Sequence, residues 1–241
     1  MAGKALWTSA AAAAATGGKA RGKWSARGVA IDSRAVSSGD LFVALRGPNF
    51  DGHDFVAPAL RAGAAAAAVS RVPEGLPAKP PLLVVGDTLK ALNDLGAAGR
   101  ARSEAGIVAV TGSVGKTGTK EALRHCLGRL GHVYASAGSF NNLWGVPVSL
   151  ARMPPDASFG VFEIGMNHAG EIRPLVRLVR PHVALITTVE AVHSEFFPDI
   201  GAIADAKAEI LEGVEPGGAA VLNRDNAMFD RLAARAKTLR G

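Results

Sequence analysis

The segment with the clearest chemistry is a glycine-rich turn between an apolar run and a helical pattern. Residues 107–110 read IVAV, and TGSVGKTGTK follows directly. Glycines let such a backbone curl until its N–H groups face a polyphosphate, and a helix N-terminus adds partial positive charge. Lys116 is then placed to reach the terminal phosphates, and the Thr117 hydroxyl to ligate magnesium. ATP or a similar nucleotide is the expected ligand. The residues expected to hold it are Gly112, Ser113, Val114, Gly115, Lys116 and Thr117.

This turn departs from the usual spacing of a phosphate-binding loop. Val110 stands where that pattern has its first glycine, and Gly112 replaces it in a shorter loop. The alternative is a glycine-rich turn with a solvent-exposed lysine. The order of strand, loop, Gly-Lys-Thr and helix favours phosphate binding over that alternative.

The elements that must position this loop alternate regularly along the second part of the chain. Apolar strands are predicted at residues 107–110, 159–164, 183–188 and 219–222, and helices at residues 116–130, 171–179, 200–211 and 226–236. Such alternation predicts βαβ units and a mainly parallel sheet.

The first part of the chain has shorter and more mixed signals. Apolar runs are found at residues 41–45, 64–69 and 82–85, with a helical pattern at 54–62, a proline-rich loop at 71–81 and a helix at 88–102. The pattern predicts an α/β protein with a small N-terminal α/β domain followed by a phosphate-loop domain. We expect the domains to be residues 1–105 and 106–241, with the second domain incomplete.

Composition and charge restrict the class of partner. The chain has 241 residues, 48% of them hydrophobic, and a formal net charge of +6. Its basic residues are scattered and are not interleaved with aromatic residues, so a nucleic-acid partner is not expected. An anionic small substrate explains the charge equally well.

The lone cysteine and the N-terminal segment bear on the compartment. Cys126 is the only cysteine, so no intramolecular disulfide can form and a reducing cytoplasm fits. The alanine run near the N-terminus is too weakly apolar for a signal peptide, and Thr8 or Ser9 fits better as the cap of a short helix ending near Gly17. No segment approaches the roughly 18 consecutive apolar residues of a membrane span. We expect a soluble, monomeric protein.

Five ordered segments resemble the Mur ligase family. They are the loop TGSVGKT with Thr119, Lys120 and Glu121 after it, and the segments at residues 32–55, 139–150, 162–172 and 187–197. Within that family, the Lys-Glu pair after the loop and the paired asparagines resemble the branch that adds D-alanyl-D-alanine to a UDP-linked muramoyl tripeptide.

The resemblance implies a fold of three domains and one reaction. The family has a UDP-sugar domain, a central ATPase domain and a C-terminal Rossmann-like domain, and this chain has room for the first two. The implied reaction is ATP-dependent amide formation in peptidoglycan synthesis, in which a substrate carboxylate becomes an acyl phosphate that the D-alanyl-D-alanine amine attacks. The implied partners are UDP-N-acetylmuramoyl-tripeptide and D-alanyl-D-alanine. We expect no detectable ligation by this chain alone.

The resemblance also implies roles for residues of the central domain. It places magnesium ligands at Thr117, Glu163 and His193, and a lysine that CO₂ converts to a carbamate at Lys207. A carbamate reverses the charge of the lysine and supplies oxygen ligands. Lys116, Lys207 and His193 are thus the expected catalytic residues, and Asn141 and Asn142 are expected near the nucleotide phosphates.

From the residues alone, several of these roles have simpler alternatives. His193 would be a hydrogen-bonded loop histidine, and Lys207 a solvated lysine on a helix. Asn141 and Asn142 would form a turn before Gly145 and Pro147. Glu163 is different, because a carboxylate inside an apolar strand needs a partner. Gly118 and Leu143 depart from the family, which commonly has threonine and a polar residue at these positions.

The UDP-sugar is implied to contact two segments of the first domain. Ser33 and Arg34 resemble the family's uridine-contacting pair. The residues of the implied UDP-sugar loop are Asn49, Phe50, Asp51, Gly52 and His53. A tight loop without a ligand remains the alternative for the second segment.

Two other functions remain open at this point. One is a Mur ligase that adds diaminopimelate or lysine, since its first domain shares similar motifs. The other is a non-catalytic phosphate-loop module that holds a nucleotide. Glu163, His193 and Lys207 argue against the module, because passive binding would not need a second cation site.

Overall fold

The computed structural model describes residues 5–138, 140–191 and 195–237. The chain divides into two compact units. The first comprises Met1–Ala101 with Leu150–Arg152, and the second comprises Arg102–Ser149 with Met153–Gly241. The division at Ala101 lies just before the expected boundary between residues 105 and 106.

The first unit contains short strands and three helices in its described part. In chain order these are β1 (Trp7–Thr8), α1 (Ser9–Thr16), β2 (Lys19–Arg21), β3 (Ser25–Ala26), β4 (Gly28–Ala30), β5 (Asp40–Val43), β6 (Arg46–Gly47), β7 (Phe50–Asp51), α2 (Val56–Arg61), β8 (Ala66–Val69), β9 (Leu82–Val84) and α3 (Thr88–Ala101). Short 3-10 helices follow β4 at Ser33–Ala35 and β7 at Gly52–Phe55.

The main sheet of the first unit has the order β2-β9-β8-β5-β4. The pairs from β4 to β9 are parallel, and β2 is antiparallel to β9. Every residue of β5 and β8 is buried, as parallel strands covered on both faces require. Phe42 of β5 packs with Val56 of α2 and Leu82 of β9 in the core.

The N-terminal helix has the predicted cap. The Thr8 side chain accepts a hydrogen bond from the N–H of Ala11 at 3.1 Å, and the helix ends at Gly17 with φ at +65°. This alanine-rich segment is thus an ordinary capped helix of the first unit.

The second unit alternates strands and helices as the sequence predicts. In chain order these are β10 (Gly106–Thr111), α4 (Lys116–Leu127), β11 (Val133–Ala135), α5 (Gly145–Arg152), β12 (Phe159–Glu163), α6 (Ile172–Val179), β13 (Val183–Ile186), α7 (Ile200–Ala208), β14 (Ala219–Leu222) and α8 (Phe229–Ala236). The last three residues of α5, Leu150–Arg152, are grouped with the first unit.

The described residues of this unit form a five-stranded parallel sheet with the order β11-β12-β10-β13-β14. The α/β class and the mainly parallel sheet are confirmed. Because all the strands run the same way, their carboxyl ends meet at one edge, which is where open α/β sheets bind ligands. β10 lies at the centre, and Val110 near its end pairs in register with Glu163 at the end of β12.

Two elements of the second unit were not predicted, and some bounds differ. β11 is only three residues long, and α5 begins in a segment whose glycine and proline resemble turn signals. Pro147 lies in the first turn of α5, the part of a helix that tolerates proline. The helix predicted at 200–211 ends at Ala208 and continues as a 3-10 helix over Glu209–Gly213. Within the described ranges, no helix combines the length and apolar character that crossing a membrane requires.

Candidate functional site

The glycine-rich loop between β10 and α4 has a backbone that requires glycine. Gly112 has φ at +149° and Gly115 has φ at +83°. A Cβ atom on Gly112 would fall 1.9 Å from Oγ1 of Thr187, a distance that no side chain tolerates. Gly112 therefore takes the place of the first glycine of the usual phosphate-loop pattern, because it lets the backbone turn in close contact with Thr187.

This loop is tied to the chain that follows β13. The Thr187 hydroxyl donates to the carbonyl of Val114 at 2.6 Å, and the Ser113 N–H donates to the carbonyl of Thr188 at 2.9 Å. Ser113 Oγ donates to the carbonyl of Glu190 at 3.1 Å and accepts from the Glu190 N–H at 2.9 Å. The loop is thus held in a curled shape from outside and needs little reorganisation to receive an anion.

Lys116 begins α4 and points back over the loop. Its Nζ donates to the carbonyl of Gly112 at 2.7 Å and to that of Ser113 at 3.4 Å. Burial lowers the pKa of the Lys116 amine, while the nearby charge of Glu163 acts in the opposite direction. The amine therefore lies where the phosphates of a nucleotide in this loop would be.

Glu163 contacts two other predicted site residues, Thr117 and Asn141. It ends β12 and is 2% exposed. Its Oε2 accepts a hydrogen bond from Thr117 Oγ1 at 2.9 Å, and its Oε1 accepts one from Asn141 Nδ2 at 2.9 Å. Hydroxyl and carboxylate oxygens are the ligands that Mg²⁺ prefers. The pair of Thr117 and Glu163 therefore fits a magnesium ion beside the phosphate loop.

A cavity of about 570 Å³ opens beside these residues. It is lined by Gly112, Lys116, Asn141, Asn142, Leu143, Trp144, Gly165, Met166, Asn167, Glu171, Leu175 and Lys207. Its volume is in the range of small-molecule sites, and apolar side chains share its wall with polar ones, as in many such sites. A nucleotide whose phosphates lie in the loop can therefore extend into it.

Lys207 lies on α7 and lines the same cavity. It is 2% exposed, although a helical lysine between acidic residues is usually solvated. Burial, followed by the charge of Lys116, lowers the pKa of the Lys207 amine to about 8. Lys207 thus lines the same cavity as Lys116 and Asn141.

His193, the third implied magnesium ligand, lies outside the described residues. Among the residues that are described, no three His, Cys, Asp or Glu side chains are grouped to hold a metal ion. Of the implied magnesium ligands, the described part of the chain brings together the Thr117 hydroxyl and the Glu163 carboxylate.

Asn142 lies in the turn before Gly145, as the alternative interpretation of its sequence has it. Its Oδ1 accepts from the N–H of Trp144 at 3.1 Å and from the N–H of Gly145 at 2.9 Å. The side-chain oxygen of Asn142 thus accepts hydrogen bonds from N–H groups at the start of α5, whereas Asn141 contacts Glu163. Leu143, which departs from the family, is 46% exposed at the cavity wall.

In the first unit, the uridine-contacting pair implied by resemblance lies in the 3-10 helix after β4. Asp32 caps this turn by accepting from the Arg34 N–H at 2.9 Å. The Arg34 guanidinium also donates to both carboxylate oxygens of Asp32, at 2.9 and 2.7 Å, and its side chain is 88% exposed. Ser33 is half-buried at the start of the turn.

The implied UDP-sugar loop is built around a buried histidine. His53 Nδ1 lies 2.6 Å from Oδ1 of Asp51, and its Nε2 accepts from the backbone N–H of Ser70 at 2.9 Å. Because Nε2 accepts, the proton of a neutral ring lies on Nδ1 and faces Asp51. Arg46 and Arg71 also pair with the Asp51 carboxylate, at 3.2 and 3.1 Å.

The remaining loop residues are placed consistently with a binding segment. Asn49 and Phe50 are exposed on the β6–β7 hairpin, and Gly52 is buried. A Cβ atom on Gly52 would lie 2.4 Å from the carbonyl oxygen of Leu45, so the hairpin packs closely on its own base. β4, β5 and β8 are parallel, so the segments after them meet at one edge of the sheet.

Comparison with known proteins identifies the family. The sequence profile described as the Mur ligase middle domain matches residues 110–240, and the profile described as the Mur ligase family catalytic domain matches residues 25–101. A curated relative from Rickettsia prowazekii, named UDP-N-acetylmuramoyl-tripeptide--D-alanyl-D-alanine ligase, is 38% identical over 97% of this chain and 52% of its own length. The Escherichia coli protein of the same name is 42% identical over 82% of this chain and 43% of its own length. The chain therefore spans about half the length of these relatives.

Solved structures agree with this assignment. A crystal structure of MurF from Acinetobacter baumannii has a TM-score of 0.87 and 35% identity, covering 97% of this chain and 52% of its own. A MurF ligase from Thermotoga maritima, solved in complex with ADP, has a TM-score of 0.75 and 31% identity, covering 89% of this chain and 49% of its own. With the phosphate loop, the acidic strand end and the parallel sheet in place, this chain belongs to the Mur ligase family.

Proposed function

We propose that this chain supplies the UDP-sugar-binding and ATP-binding parts of a ligase that joins D-alanyl-D-alanine to UDP-N-acetylmuramoyl-tripeptide. The observation that carries the proposal is the meeting of Thr117, Asn141 and Glu163 beside the phosphate loop. It occurs in a chain 38% identical to a relative named for that reaction. The cytoplasmic, monomeric state expected from the sequence is part of the proposal.

The nucleotide would occupy the loop and the cavity beside it. Backbone N–H groups at the start of α4 face the phosphates and carry the partial positive charge of the helix end. Lys116 would exchange its contacts with the loop carbonyls for contacts with the terminal phosphates. The ADP complex of the Thermotoga maritima relative supports a nucleotide of this class.

Thr117 and Glu163 would hold magnesium, joined by His193 and by Lys207 as its carbamate. The ion would neutralise charge on the transferring phosphoryl group. Asn141 would orient the Glu163 carboxylate, because it already donates to Oε1 and leaves the other oxygen facing Thr117.

The burial of Lys207 supports its conversion to a carbamate. A buried ammonium beside Lys116 is disfavoured by desolvation and by charge repulsion, which are the two causes that lower its pKa. Reaction of the neutral amine with CO₂ forms an N–C bond and releases one proton. The product carries a negative charge that would suit a site shared with Lys116 and magnesium.

The chemistry needs no nucleophile from the protein. The terminal carboxylate of the muramoyl tripeptide would attack the γ-phosphorus of ATP, with ADP leaving, and form an acyl phosphate. The amine of D-alanyl-D-alanine would then attack the acyl carbon and release phosphate, forming the amide. Lys116 would stabilise the charge on the transferring group, and positioning would supply much of the remaining rate.

The first unit would hold the UDP part of the substrate. Its candidate residues are those of the Ser33–Arg34 turn and of the loop from Asn49 to His53. The buried His53 and its partners Asp51 and Ser70 would fix that loop, so that the exposed Asn49 and Phe50 are presented to the ligand.

Two alternatives make different predictions. A diaminopimelate- or lysine-adding ligase would use a UDP-linked dipeptide and a single amino acid, whereas the names of the relatives favour the dipeptide acceptor. A passive nucleotide-binding module could use Thr117 and Glu163 for the magnesium ion of ADP, but it would have no need for a second amine in the cavity. The buried Lys207, which lines the cavity together with Lys116, therefore favours an enzyme.

The proposal is tested by measuring phosphate release from ATP. The protein assayed is the longest natural protein that contains these residues. We expect release with UDP-muramoyl-tripeptide and D-alanyl-D-alanine together, and background release when lysine or diaminopimelate replaces the dipeptide. Release that depends on UDP-muramoyl-dipeptide and a single amino acid would support the first alternative. ATP binding without release under any of these conditions would support the second.

A further inference from the structure

Lys120 is a buried lysine that the proposed reaction does not use. It lies on α4, one turn after Lys116 and Thr117, and is 2% exposed. An ammonium group is rarely buried to this extent unless it has partners, because its desolvation is costly. The position belongs to the Lys-Glu pair that follows the phosphate loop in the sequence.

The amino group of Lys120 binds the segment that follows β11, which is described at residues 136–138 and 140–141. Its Nζ donates to the carbonyl of Ser136 at 2.9 Å and to that of Gly138 at 3.5 Å. Glu121 Oε1 lies 3.4 Å from the same nitrogen, but its side chain is 46% exposed. The buried contacts of Lys120 are therefore with backbone carbonyls of one segment.

That segment also forms hydrogen bonds with Glu163, one of the two proposed magnesium ligands. Ser136 is 2% exposed, and its Oγ accepts a hydrogen bond from the backbone N–H of Glu163 at 3.3 Å. The Asn141 carbonyl accepts from the Gly165 N–H at 2.8 Å, and Asn141 Nδ2 donates to Glu163. The segment after β11 thus contacts both the backbone and the side chain of Glu163.

The contacts close a ring between α4 and the end of β12. Thr117 and Lys120 are three positions apart in sequence and so share a face of the helix. Thr117 contacts the Glu163 carboxylate directly, and Lys120 reaches the same residue through Ser136. A shift of the segment relative to α4 would therefore change the distance between the two proposed magnesium ligands.

We infer that Lys120 is a positioning residue for the magnesium ion that accompanies the nucleotide. It holds the segment after β11 against α4 and so fixes Glu163 and Asn141 relative to Thr117. The inference rests on the proposed function, because it assigns a role within that site. It concerns a residue that touches neither the phosphates nor the ion.

The test is ADP binding by this chain, measured by calorimetry with and without Mg²⁺. Lys120→Met removes the amino group and keeps an unbranched side chain. We expect the gain in ADP affinity on adding Mg²⁺ to fall by roughly 10- to 100-fold, the usual cost of losing a group that orients a metal ligand. Affinity without Mg²⁺ should stay near that of the wild type. Lys120→Arg, which keeps a donor, should recover part of the gain.

A matched control lies one turn further along α4. Arg124 is 57% exposed and pairs with Glu121, so Arg124→Met removes a cation from the same helix without touching Ser136. It should retain the full effect of Mg²⁺. If Lys120→Met retains it as well, the inference is wrong. If ADP affinity falls equally with and without Mg²⁺, Lys120 acts directly on the phosphates through its charge. That result would also overturn the inference.

Amide hydrogen exchange gives a second readout that needs no nucleotide. The Glu163 and Gly165 N–H groups donate to Ser136 and Asn141, and both should exchange faster in Lys120→Met than in Arg124→Met. Unchanged exchange would contradict the inference. If Lys120→Met does not fold, Ser136→Ala takes its place, since it removes the Oγ acceptor and keeps the carbonyl that Lys120 binds. If Mg²⁺ raises the ADP affinity of Ser136→Ala as much as that of the wild type, the inference is wrong. If Mg²⁺ does not raise the ADP affinity of the wild type at all, the proposed function is contradicted instead.

Discussion

The Thr117 hydroxyl donates to Oε2 of Glu163 at 2.9 Å, although the two residues are 46 positions apart in the sequence. The parallel pairing of β10 and β12 brings them together, since the loop leaves the end of one strand and the carboxylate ends the other. The chemistry of the proposed site thus follows directly from the register of the sheet.

Lys116→Met should weaken ADP binding without unfolding the chain. Lys116 contacts loop carbonyls through its amine and is only half-buried. The loss of one charge-assisted contact should lower the affinity roughly 10- to 100-fold. Calorimetric titration with ADP measures the change, and thermal unfolding of the same sample checks the fold. Equal ADP affinities in the wild type and Lys116→Met would show that Lys116 does not contact the phosphates.

Lys207 should carry a carbamate in bicarbonate buffer. With ¹³C-labelled bicarbonate, the wild-type chain should show a carbamate resonance in ¹³C NMR spectra, and Lys207→Met should lack it. Lys116→Met serves as the control, because it removes the other amine that lines the cavity and leaves Lys207 in place. A resonance that persists in Lys207→Met would place the modification elsewhere.

In the longest natural protein, Lys207→Ala should be inactive. A small added carboxylate such as acetate should partly restore phosphate release, because it can occupy the place of the carbamate oxygens. The same acetate should not stimulate the wild type. Normal activity in Lys207→Ala would make this lysine a structural residue.

Gly118→Ala should stabilise the second unit. Gly118 is an exposed residue of α4, and a Cβ atom at this position meets nothing within 4 Å. Replacing a helical glycine by alanine should raise the free energy of unfolding by about 0.5–1 kcal/mol. Urea denaturation measures this value, and ADP affinity should stay unchanged. A loss of stability would mean that the loop needs glycine at this position for another reason.

The stability of the first unit should depend on the ionisation of Asp51. The backbone N–H of His53, and then the side chains of His53 and Arg71, hold the pKa of the Asp51 carboxyl below its usual range. A carboxyl with a lowered folded-state pKa stabilises the fold above its unfolded pKa of about 4, and this contribution is lost as the pH falls further. Asp51→Asn keeps an oxygen that can accept from the His53 N–H but removes the charge that pairs with Arg46 and Arg71. It should therefore lower stability by about 0.2–1 kcal/mol near neutral pH.

The difference between Asp51→Asn and the wild type should shrink as the pH falls below about 4. Asp54→Asn is the matched control, because Asp54 is a neighbouring carboxylate with 71% of its side chain exposed. It should follow the wild-type pH profile. A constant difference between Asp51→Asn and the wild type from neutral to acid pH would contradict this account of Asp51.

Much of the second unit could be predicted because its strands are apolar runs bounded by turn residues. The strands that became β10, β12 and β13 are buried or partly buried as continuous runs, whereas β14 alternates exposed and partly buried residues. The loop after β10 has a composition typical of phosphate-binding loops. α5 was missed because its glycine and Pro147 read locally as turn residues. The cap that Asn142 provides makes the helix possible there.

The burial of individual lysines could not be predicted from the residues alone. Lys120 and Lys207 are helical lysines with acidic neighbours, and such residues are usually solvated. Each is nevertheless 2% exposed, and the amine of Lys120 binds the Ser136 carbonyl, 16 positions away. The same holds for Thr187, whose hydroxyl reaches Val114 only after the sheet has formed. Long-range packing decides these contacts, and local sequence patterns carry no information about it.

The central claim is that Thr117 and Glu163 hold magnesium for a nucleotide bound in the loop. Its most direct test is the ADP affinity of the wild-type chain, Thr117→Val and Glu163→Gln, each measured with Mg²⁺ and with a chelator. We predict that Mg²⁺ strengthens binding in the wild type and that both variants lose this gain while still binding ADP in the chelator. The same Mg²⁺ gain in all three proteins would contradict the claim.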